Sequence, residues 1–265
     1  VDVTVVSTGG STNSIQKEGG NALNVLVEGL DGNNFTVDFD GDIGLSDGTA
    51  GDEGSLIVTT NNAGDATAVV SAGLAGSVAL EQATGADGTA QVTFDGGGAQ
   101  AVAGDIVAID PDGTDLDGNT AVVATGGSTV VNLAGNIGSE TSDNIVDESA
   151  VTSVGAVGDV IAEAGATLNV TGNVNAGVIG LDSTSAAAAL SVTGNVDAGI
   201  ITVLHDNGGN AEDITFNGGA AQTVNGDIIA DTAGAGGSAG GDITVTGGST
   251  DVTFNDTIGS TDVDL

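Results

Sequence analysis

The sequence predicts an all-β protein, folded as a parallel β-solenoid whose coils repeat at a period of about 22 in the residue numbering. One phrase is written twice: Leu168–Leu181 reads LNVTGNVNAGVIGL, and Leu190–Val203, at an offset of 22, reads LSVTGNVDAGIITV. Within each copy the apolar residues mostly alternate with Asn, Thr, Ser or Gly, which is the two-residue period of a strand. A fixed period of this length is typical of coils stacked in a solenoid.

The core must be thin, because large side chains are scarce. The chain has no Trp, Tyr, Met or Cys and only five Phe in 265 residues. Thick globular cores normally draw much of their buried area from aromatic residues. A narrow interior of Val, Ile, Leu and Ala suits a solenoid instead.

Strands are also predicted in the first part of the chain, where Gly and Asn/Asp clusters separate alternating segments. These segments are Val1–Ser7, Ala22–Glu28, Phe35–Phe39, Leu56–Thr60 and Ala66–Val70. Helical signals are weak: residues 157–166 could form two helical turns and residues 186–189 one. We expect no substantial helix, since 47 of the residues are Gly.

A second, longer repeat relates two blocks, 92–139 and 214–260. Residues 92–109 match residues 214–231 at an offset of 122, and the phrases TGGST and IGS recur at an offset of 121. We therefore divide the chain into an N-terminal β region, 1–90, with an expected capping or assembly role, and a repeat-containing solenoid, 91–265. The long offset also allows an alternative fold of tandem antiparallel β-sandwich modules.

A short phrase, strand–Gly–Asn/Asp–Val/Ile, returns throughout the chain. It occurs at residues 39–43, 133–137, 170–174, 192–196 and 224–228. Because Gly adopts positive φ without steric cost, the phrase predicts a strand, a left-handed turn and the next strand.

These phrases, together with Ile214–Ile228 (ITFNGGAAQTVNGDI), resemble the passenger region of bacterial autotransporter surface antigens of the rickettsial outer-membrane type. The resemblance covers about residues 90–265. It implies a right-handed β-helix, exported to the cell surface, that acts in adhesion or as a surface coat. Nothing in the chain resembles the C-terminal membrane barrel of such proteins, and no catalytic residues are implied.

The charge balance restricts the partners of this protein. There are 37 acidic residues and one basic residue, Lys17, for a net charge of −36. Nucleic acids and anionic membranes should repel such a chain. We expect partners to be further copies of the chain, or cell surfaces bridged by divalent cations. No apolar run is long enough for a membrane helix, and the composition is that of a secreted or surface-exposed protein.

Closely spaced carboxylates are the best candidates for a metal site. A loop rich in Asp and Gly supplies hard oxygen ligands, which Ca²⁺ prefers. The first candidate set is Asp110, Asp112, Asp115 and Asp117, and the second is Asp38, Asp40 and Asp42. The spacing is not that of an EF-hand, so a solvated acidic turn remains the alternative at both places.

No arrangement of residues predicts catalysis. His205 precedes Asp206, but no Gly-x-Ser-x-Gly phrase accompanies them. A glycosidase site would be expected to include aromatic residues that stack on sugars. We therefore expect a non-enzymatic, self-assembling surface-layer or fibre subunit, stabilised by Ca²⁺. The alternative is a surface adhesin, which would normally display aromatic or Arg anchors.

Overall fold

A computed structural model describes the chain over residues 24–29, 35–40, 43, 55–60, 65–82, 88–109, 119–138, 154–182, 186–205, 212–232, 242–247 and 251–259. These residues form strands, turns and isolated bridges, and none of them is helical. The all-β prediction is therefore confirmed.

Twenty strands follow one another along the chain. The first ten are β1 (Asn24–Gly29), β2 (Phe35–Phe39), β3 (Ser55–Thr60), β4 (Ala66–Val70), β5 (Val78–Gln82), β6 (Ala90–Phe94), β7 (Ala99–Val102), β8 (Ile106–Ile109), β9 (Thr120–Ala124) and β10 (Val130–Leu133). The others are β11 (Val154–Gly155), β12 (Val157–Glu163), β13 (Thr167–Val170), β14 (Val174–Asp182), β15 (Ala189–Val192), β16 (Val196–His205), β17 (Asp213–Phe216), β18 (Gln222–Thr232), β19 (Asp242–Val245) and β20 (Val252–Phe254).

The strands stack into three faces that the chain visits in a fixed order, A, then B, then C. Face A contains β1, β3, β5 and β8, followed by Ile137 and the first residues of β14, β16, β18 and then β20. Face B contains β2, β4, β6, β9, β12, the later residues of β14, β16 and β18, and Ile258. Face C contains Ile43 and Leu74, then β7, β10, β13, β15, β17 and β19. A chain that returns to each face in turn is a solenoid.

The pairing between stacked strands is parallel, apart from a two-residue antiparallel contact between β8 and β11. This confirms the parallel β-solenoid and shows that the antiparallel sandwich alternative is wrong. Neither candidate helical segment is helical: residues 157–163 form β12 and 164–166 a turn, and residues 186–188 are irregular before β15 begins at Ala189. Alternate side chains of β12 point into the core, so tertiary burial overrides the helical signal there.

Coil length follows from one column of residues in register on face B. The column is Val37, Ala68, Val92, Val122, Val160, Ile179, Ile201, Ile228 and Ile258. The residue number rises by 22 from Ile179 to Ile201, but other steps range from 19, between Val160 and Ile179, to 38, between Val122 and Val160. The stacked strands keep their register despite these differences in spacing along the chain. The proposed boundary at residue 90 stays a prediction, although β4 and β6 pair across it.

The main apolar core runs along the described solenoid, from Val25 to Phe254, and Ala79, Val107 and Ile109 form a second, smaller buried cluster with Ile57. Inward positions carry Val, Ile, Leu, Ala and Phe, whereas outward positions on face C carry small polar residues such as Asn132 and Asn169. This division explains the alternation in the sequence, because each strand faces the core with every second residue.

A ladder of side-chain oxygens stabilises the corner between faces C and A. Its six members are Ser77, Asp105, Asn136, Asn173, Asn195 and Thr223, one from each successive coil. From Asp105 onwards, the backbone N–H of each member donates to a side-chain oxygen of the preceding member, at N–O distances of 2.7–3.2 Å. The Gly–Asn phrases at residues 133–137, 170–174 and 192–196 lie at this corner ladder, whereas Gly226 and Asp227 of the phrase at 224–228 lie within β18 and outside it.

The predicted left-handed turn is wrong for the glycines of this ladder. Gly135, Gly172 and Gly194 do not have positive φ. Gly226, which lies outside the ladder, does (φ 111°), and Gly41 of the first phrase lies outside the described residues. At Gly194 a Cβ atom would overlap the carbonyl oxygen of Gly172 in the preceding coil. Glycine is needed here because two backbones approach closely, which is a different reason from turn conformation.

The two long repeats adopt the same local structure on different faces. β6 of the first block lies on face B, whereas the equivalent β17 of the second block lies on face C. Gly97 and Gly219, which follow these strands, have φ values of 63° and 65°. Counting faces along the chain, the blocks are separated by four coils and one further face. The repeated unit is therefore a strand with its corner, and it fits any corner of the solenoid.

Candidate functional site

Most of the predicted calcium ligands lie outside the described residues. Residues 110–118, which include the first candidate set, are not described, and neither is Asp42. Asp38 lies on β2 and Asp40 directly follows it; both are exposed, while Val37 and Phe39 between and beside them point into the core. These two carboxylates share the outer surface, as the alternation predicts, and the calcium assignment stays a prediction.

Within the described residues, no three Asp, Glu or His side chains come together in a group that could hold a metal ion. Acidic residues do occur in pairs: Asp213 and Asp242 are exposed and directly opposite in adjacent strands of face C. Like charges in register repel, and they give this face a strongly negative end.

His205, the only histidine, ends β16. Its neighbour Asp206 is outside the described residues, so the expectation that the protein is not an enzyme remains a prediction.

The surroundings of Asp159 perturb the ionisation of its carboxyl group. It lies half-buried on the outer surface of β12, between Ala121 of β9 and Val178 of β14. Burial among these apolar side chains raises the pKa of Asp159, because it disfavours the charged form. Because the pKa is raised only in the folded protein, the stability of the fold depends on pH through this group.

The most distinctive surface is the end of the solenoid formed by the last coil. We call this surface the open end; it consists of β19, β20 and Ile258, one element on each face. Val245 of β19 is 47% exposed, and Ile258 is 37% exposed. The residues below them in the same columns, Phe216 and Ile228, are 0% and 3% exposed.

The remaining inward residues of the last coil are also only partly buried. They are Ile243, Val252 and Phe254, and each packs on the core below. The ring of Phe254 meets that of Phe216 edge to face, with 5.6 Å between ring centroids. The open end is thus an ordered continuation of the core whose outer side is uncovered, and its three strand edges have no described strand beyond them.

The first described coil differs from the last. Its inward residues Val25, Val27 and Ile43 are each 1% exposed, and Phe35 is the exception at 43%. Leu26, on the outer surface of β1, is 52% exposed. One end of the described solenoid is therefore largely closed and the other is open. The sequence does not reveal this asymmetry, because Val245 and Ile258 are ordinary core residues by type.

No protein-family model, curated protein or solved structure matches this chain. In the part of the chain that is described, no helix is long and apolar enough to cross a membrane.

Proposed function

We propose that this protein is a non-enzymatic structural subunit that self-assembles into a layer or fibre at a cell surface. The observation that carries the proposal is the open end. At the open end, the edges of β19 and β20 and an apolar centre have no described strand beyond them, and such edges are a template for further β-structure. A second subunit can supply that β-structure.

The charge of the chain indicates that assembly is controlled by cations. Two subunits of net charge −36 repel each other, and monovalent salt only screens this repulsion, with a Debye length of about 8 Å at physiological ionic strength. A divalent cation can instead be shared by carboxylates of two subunits. Ca²⁺ suits this task better than Mg²⁺, which gives up its water reluctantly.

The carboxylates proposed to bind Ca²⁺ are those that the sequence singles out. They are Asp110, Asp112, Asp115 and Asp117, with Asp38, Asp40 and Asp42 as the second group. The exposed positions of Asp38 and Asp40 on the outer surface support a bridging role for the second group. The resemblance to autotransporter passengers supports a location outside the cell.

The test is to measure particle size by light scattering and electron microscopy, in Ca²⁺, in Mg²⁺ and in chelator. We expect large assemblies in Ca²⁺, fewer in Mg²⁺ and none in chelator, and we expect the triple variant D112N/D115N/D117N to need more Ca²⁺. Identical particle sizes with Ca²⁺ and with chelator would show that the cation role is wrong. A protein that stays small in every condition would rule out the structural role itself.

A further inference from the structure

The second long block contains an Asn–Gly pair at a corner of the solenoid. Asn217 and Gly218 directly follow β17, and the side chain of Asn217 is exposed. An asparagine followed by glycine loses its side-chain amide readily, because glycine has no Cβ that would shield its backbone nitrogen from the asparagine Cγ. Loss of this amide would convert a neutral side chain of the corner into an acidic one.

The reaction needs water and hydroxide alone. Hydroxide removes the N–H proton of Gly218, and the nitrogen attacks Cγ of Asn217. A bond between this nitrogen and Cγ forms, the bond from Cγ to Nδ2 breaks, and Nδ2 leaves as ammonia after taking a proton from water. Water then adds to either carbonyl of the resulting succinimide ring and opens it, which leaves an aspartate or an isoaspartate at position 217. No atom is oxidised or reduced.

The stacking of the coils requires glycine at this corner. A Cβ atom at Gly218 would overlap the carbonyl oxygen of Thr193 in the preceding coil. The same holds at Gly96 in the first block, where a Cβ atom would overlap the carbonyl oxygen of Ser71. A bulkier residue that would slow the reaction at Asn217 therefore does not fit after it, and protection must come from other contacts.

Hydrogen bonds occupy both reacting groups of the pair. The N–H of Gly218 donates to Oε1 of Gln222 at 2.9 Å, and Gln222 is only 2% exposed. The side chain of Asn217 accepts from the hydroxyl of Thr193 (2.9 Å) and donates to that of Ser191 (3.1 Å). Removal of the Gly218 proton requires the bond to Gln222 to open first, so the reaction proceeds through a local opening of the corner.

The first block shows that this corner accepts the acidic product. Asp95, at the position equivalent to Asn217, is exposed, and its carboxylate accepts a hydrogen bond of 2.6 Å from the hydroxyl of Ser71. The hydroxyl of Thr193 already donates to Oδ1 of Asn217, and it can donate to an aspartate there in the same way. Deamidation to aspartate would thus reproduce an arrangement that the chain already contains, whereas isoaspartate would lengthen the backbone where two coils touch.

We propose that Asn217 is a latent site of spontaneous deamidation, which the buried side chain of Gln222 keeps in the amide form. Neither self-assembly nor Ca²⁺ is needed for this chemistry. The site is unreactive while the corner is closed and reacts when the corner opens. The fraction of acid at position 217 therefore records how often this corner of the solenoid has opened.

The test is to incubate the protein at mildly alkaline pH and to follow positions 217 and 225 by mass spectrometry after digestion with pepsin, in acid that halts the reaction. Asn225 is an internal reference: it also precedes a glycine, but the N–H of Gly226 donates to the exposed carboxylate of Asp256. In the folded parent protein we expect Asn217 to keep its amide about tenfold longer than in urea. Gln222→Ala should speed the loss at position 217 about fivefold and leave position 225 unchanged.

Gln100→Ala is the matched control, because Gln100 makes the corresponding bond to Gly96 in the first block. Its loss should destabilise the fold to a similar degree without changing the rate at position 217. Equal acceleration by both glutamine variants, or at positions 217 and 225 alike, would show that general unfolding controls the reaction and would overturn the role of Gln222. Equal rates in the folded and the unfolded parent protein would overturn the proposal too, because the corner would then give no protection.

Asn217→Asp tests whether the corner accepts the product. This variant should fold and should melt close to the temperature of the parent protein, as the arrangement at Asp95 predicts. A clearly lower melting temperature would contradict the equivalence of the two corners.

Discussion

Gln100 and Gln222 make equivalent hydrogen bonds in different parts of the solenoid. The side-chain amide of Gln100 donates to the carbonyls of Val70 (2.6 Å) and Ala72 (3.0 Å), and its oxygen accepts from the N–H of Gly96 (3.1 Å). Gln222, 122 positions later, bonds in the same way to its own neighbours, the carbonyls of Val192 and Gly194 and the N–H of Gly218. Both side chains are 2% exposed. Each glutamine thus fastens its corner to the coil below.

Replacing either glutamine with Ala should destabilise the fold by about 2 kcal/mol, because buried backbone groups lose their partners. Urea unfolding monitored by circular dichroism measures this change. The control is Gln91→Ala, whose half-buried amide bonds Thr93 within the same strand and should change stability by less than about 0.5 kcal/mol. Equal changes in the free energy of unfolding at all three positions would show that the corner hydrogen bonds do not stabilise the fold more than the bond within the strand does.

Asn136 is the buried centre of the corner ladder. Its side-chain oxygen accepts from the N–H of Asn173 (2.8 Å), and its amide donates to Asp105 (3.3 Å). We expect Asn136→Ala to cost about 1–3 kcal/mol, since the N–H of Asn173 is left without its acceptor. Asn132→Ala, at an exposed outward position bonded to Asn169, is the control. Hydrogen exchange should speed up at Asn173 in the first variant only.

Two glycines test whether close approach, rather than flexibility, selects glycine at the corner. Gly194→Ala places a methyl group against the backbone of Gly172 and should destabilise by about 3 kcal/mol. At Gly180 an added Cβ would meet its nearest neighbour, the Ile161 side chain, at 3.8 Å. Gly180→Ala should therefore be neutral or stabilise by up to about 1 kcal/mol. Similar melting temperatures for the two variants would contradict the stacked-corner geometry.

Asp159 should make stability depend on pH. Its pKa is raised in the folded state by burial, so the folded protein resists ionisation of this group more than the unfolded chain does. The resulting destabilisation is present above the folded pKa and disappears as the pH falls towards the unfolded value of about 3.9. Asp159→Asn should raise the melting temperature at neutral pH but not near pH 3. Asp38→Asn, which removes an exposed charge, corrects for the general effect of net charge.

Removal of one whole coil should be tolerated. Deleting residues 171–192 takes out one complete period of the repeated phrase and joins Val170 to Thr193, so inward positions stay inward. We expect a shorter but cooperatively folded protein by circular dichroism and thermal melting. Deleting Gly180 alone, inside β14, instead shifts the rest of that strand by one residue and turns the buried Leu181 outward. That protein should melt at a clearly lower temperature, and equal behaviour of both deletions would argue against the solenoid.

The period-2 alternation predicted the described strands, and the repeat at an offset of 22 predicted the solenoid; the predicted strand Val1–Ser7 lies outside the described residues. β2 and β4 have the predicted bounds, and the repeated phrase at residues 168 and 190 stacks in register, Leu168 on Leu190. The coil length was not predictable, because corners tolerate insertions without disturbing the stacked strands. The reason for glycine at the ladder was also missed, since close approach of two backbones depends on which residues stack, and spacing alone does not show this.

The exposure of Val245 and Ile258 could not be predicted for a related reason. Val245 and Ile258 are apolar, as are the fully buried Ala124 and Ile137 at the equivalent positions of the first block. Whether such a residue is covered depends on what lies above it in the stack. Exposure is therefore a property of the last coil, and local sequence does not encode it.

The offset of four coils and one face between the repeated blocks determines the directions in which their outward side chains point. Outward side chains of the second block point in a different direction about the solenoid axis from those of the first. A ligand or neighbouring subunit that binds the outer surface of one block would find the matching surface of the other block on the adjacent face of the solenoid. A single chain can thus make similar lateral contacts in two directions. Such contacts would let solenoids associate side by side into a two-dimensional layer, and not only end to end.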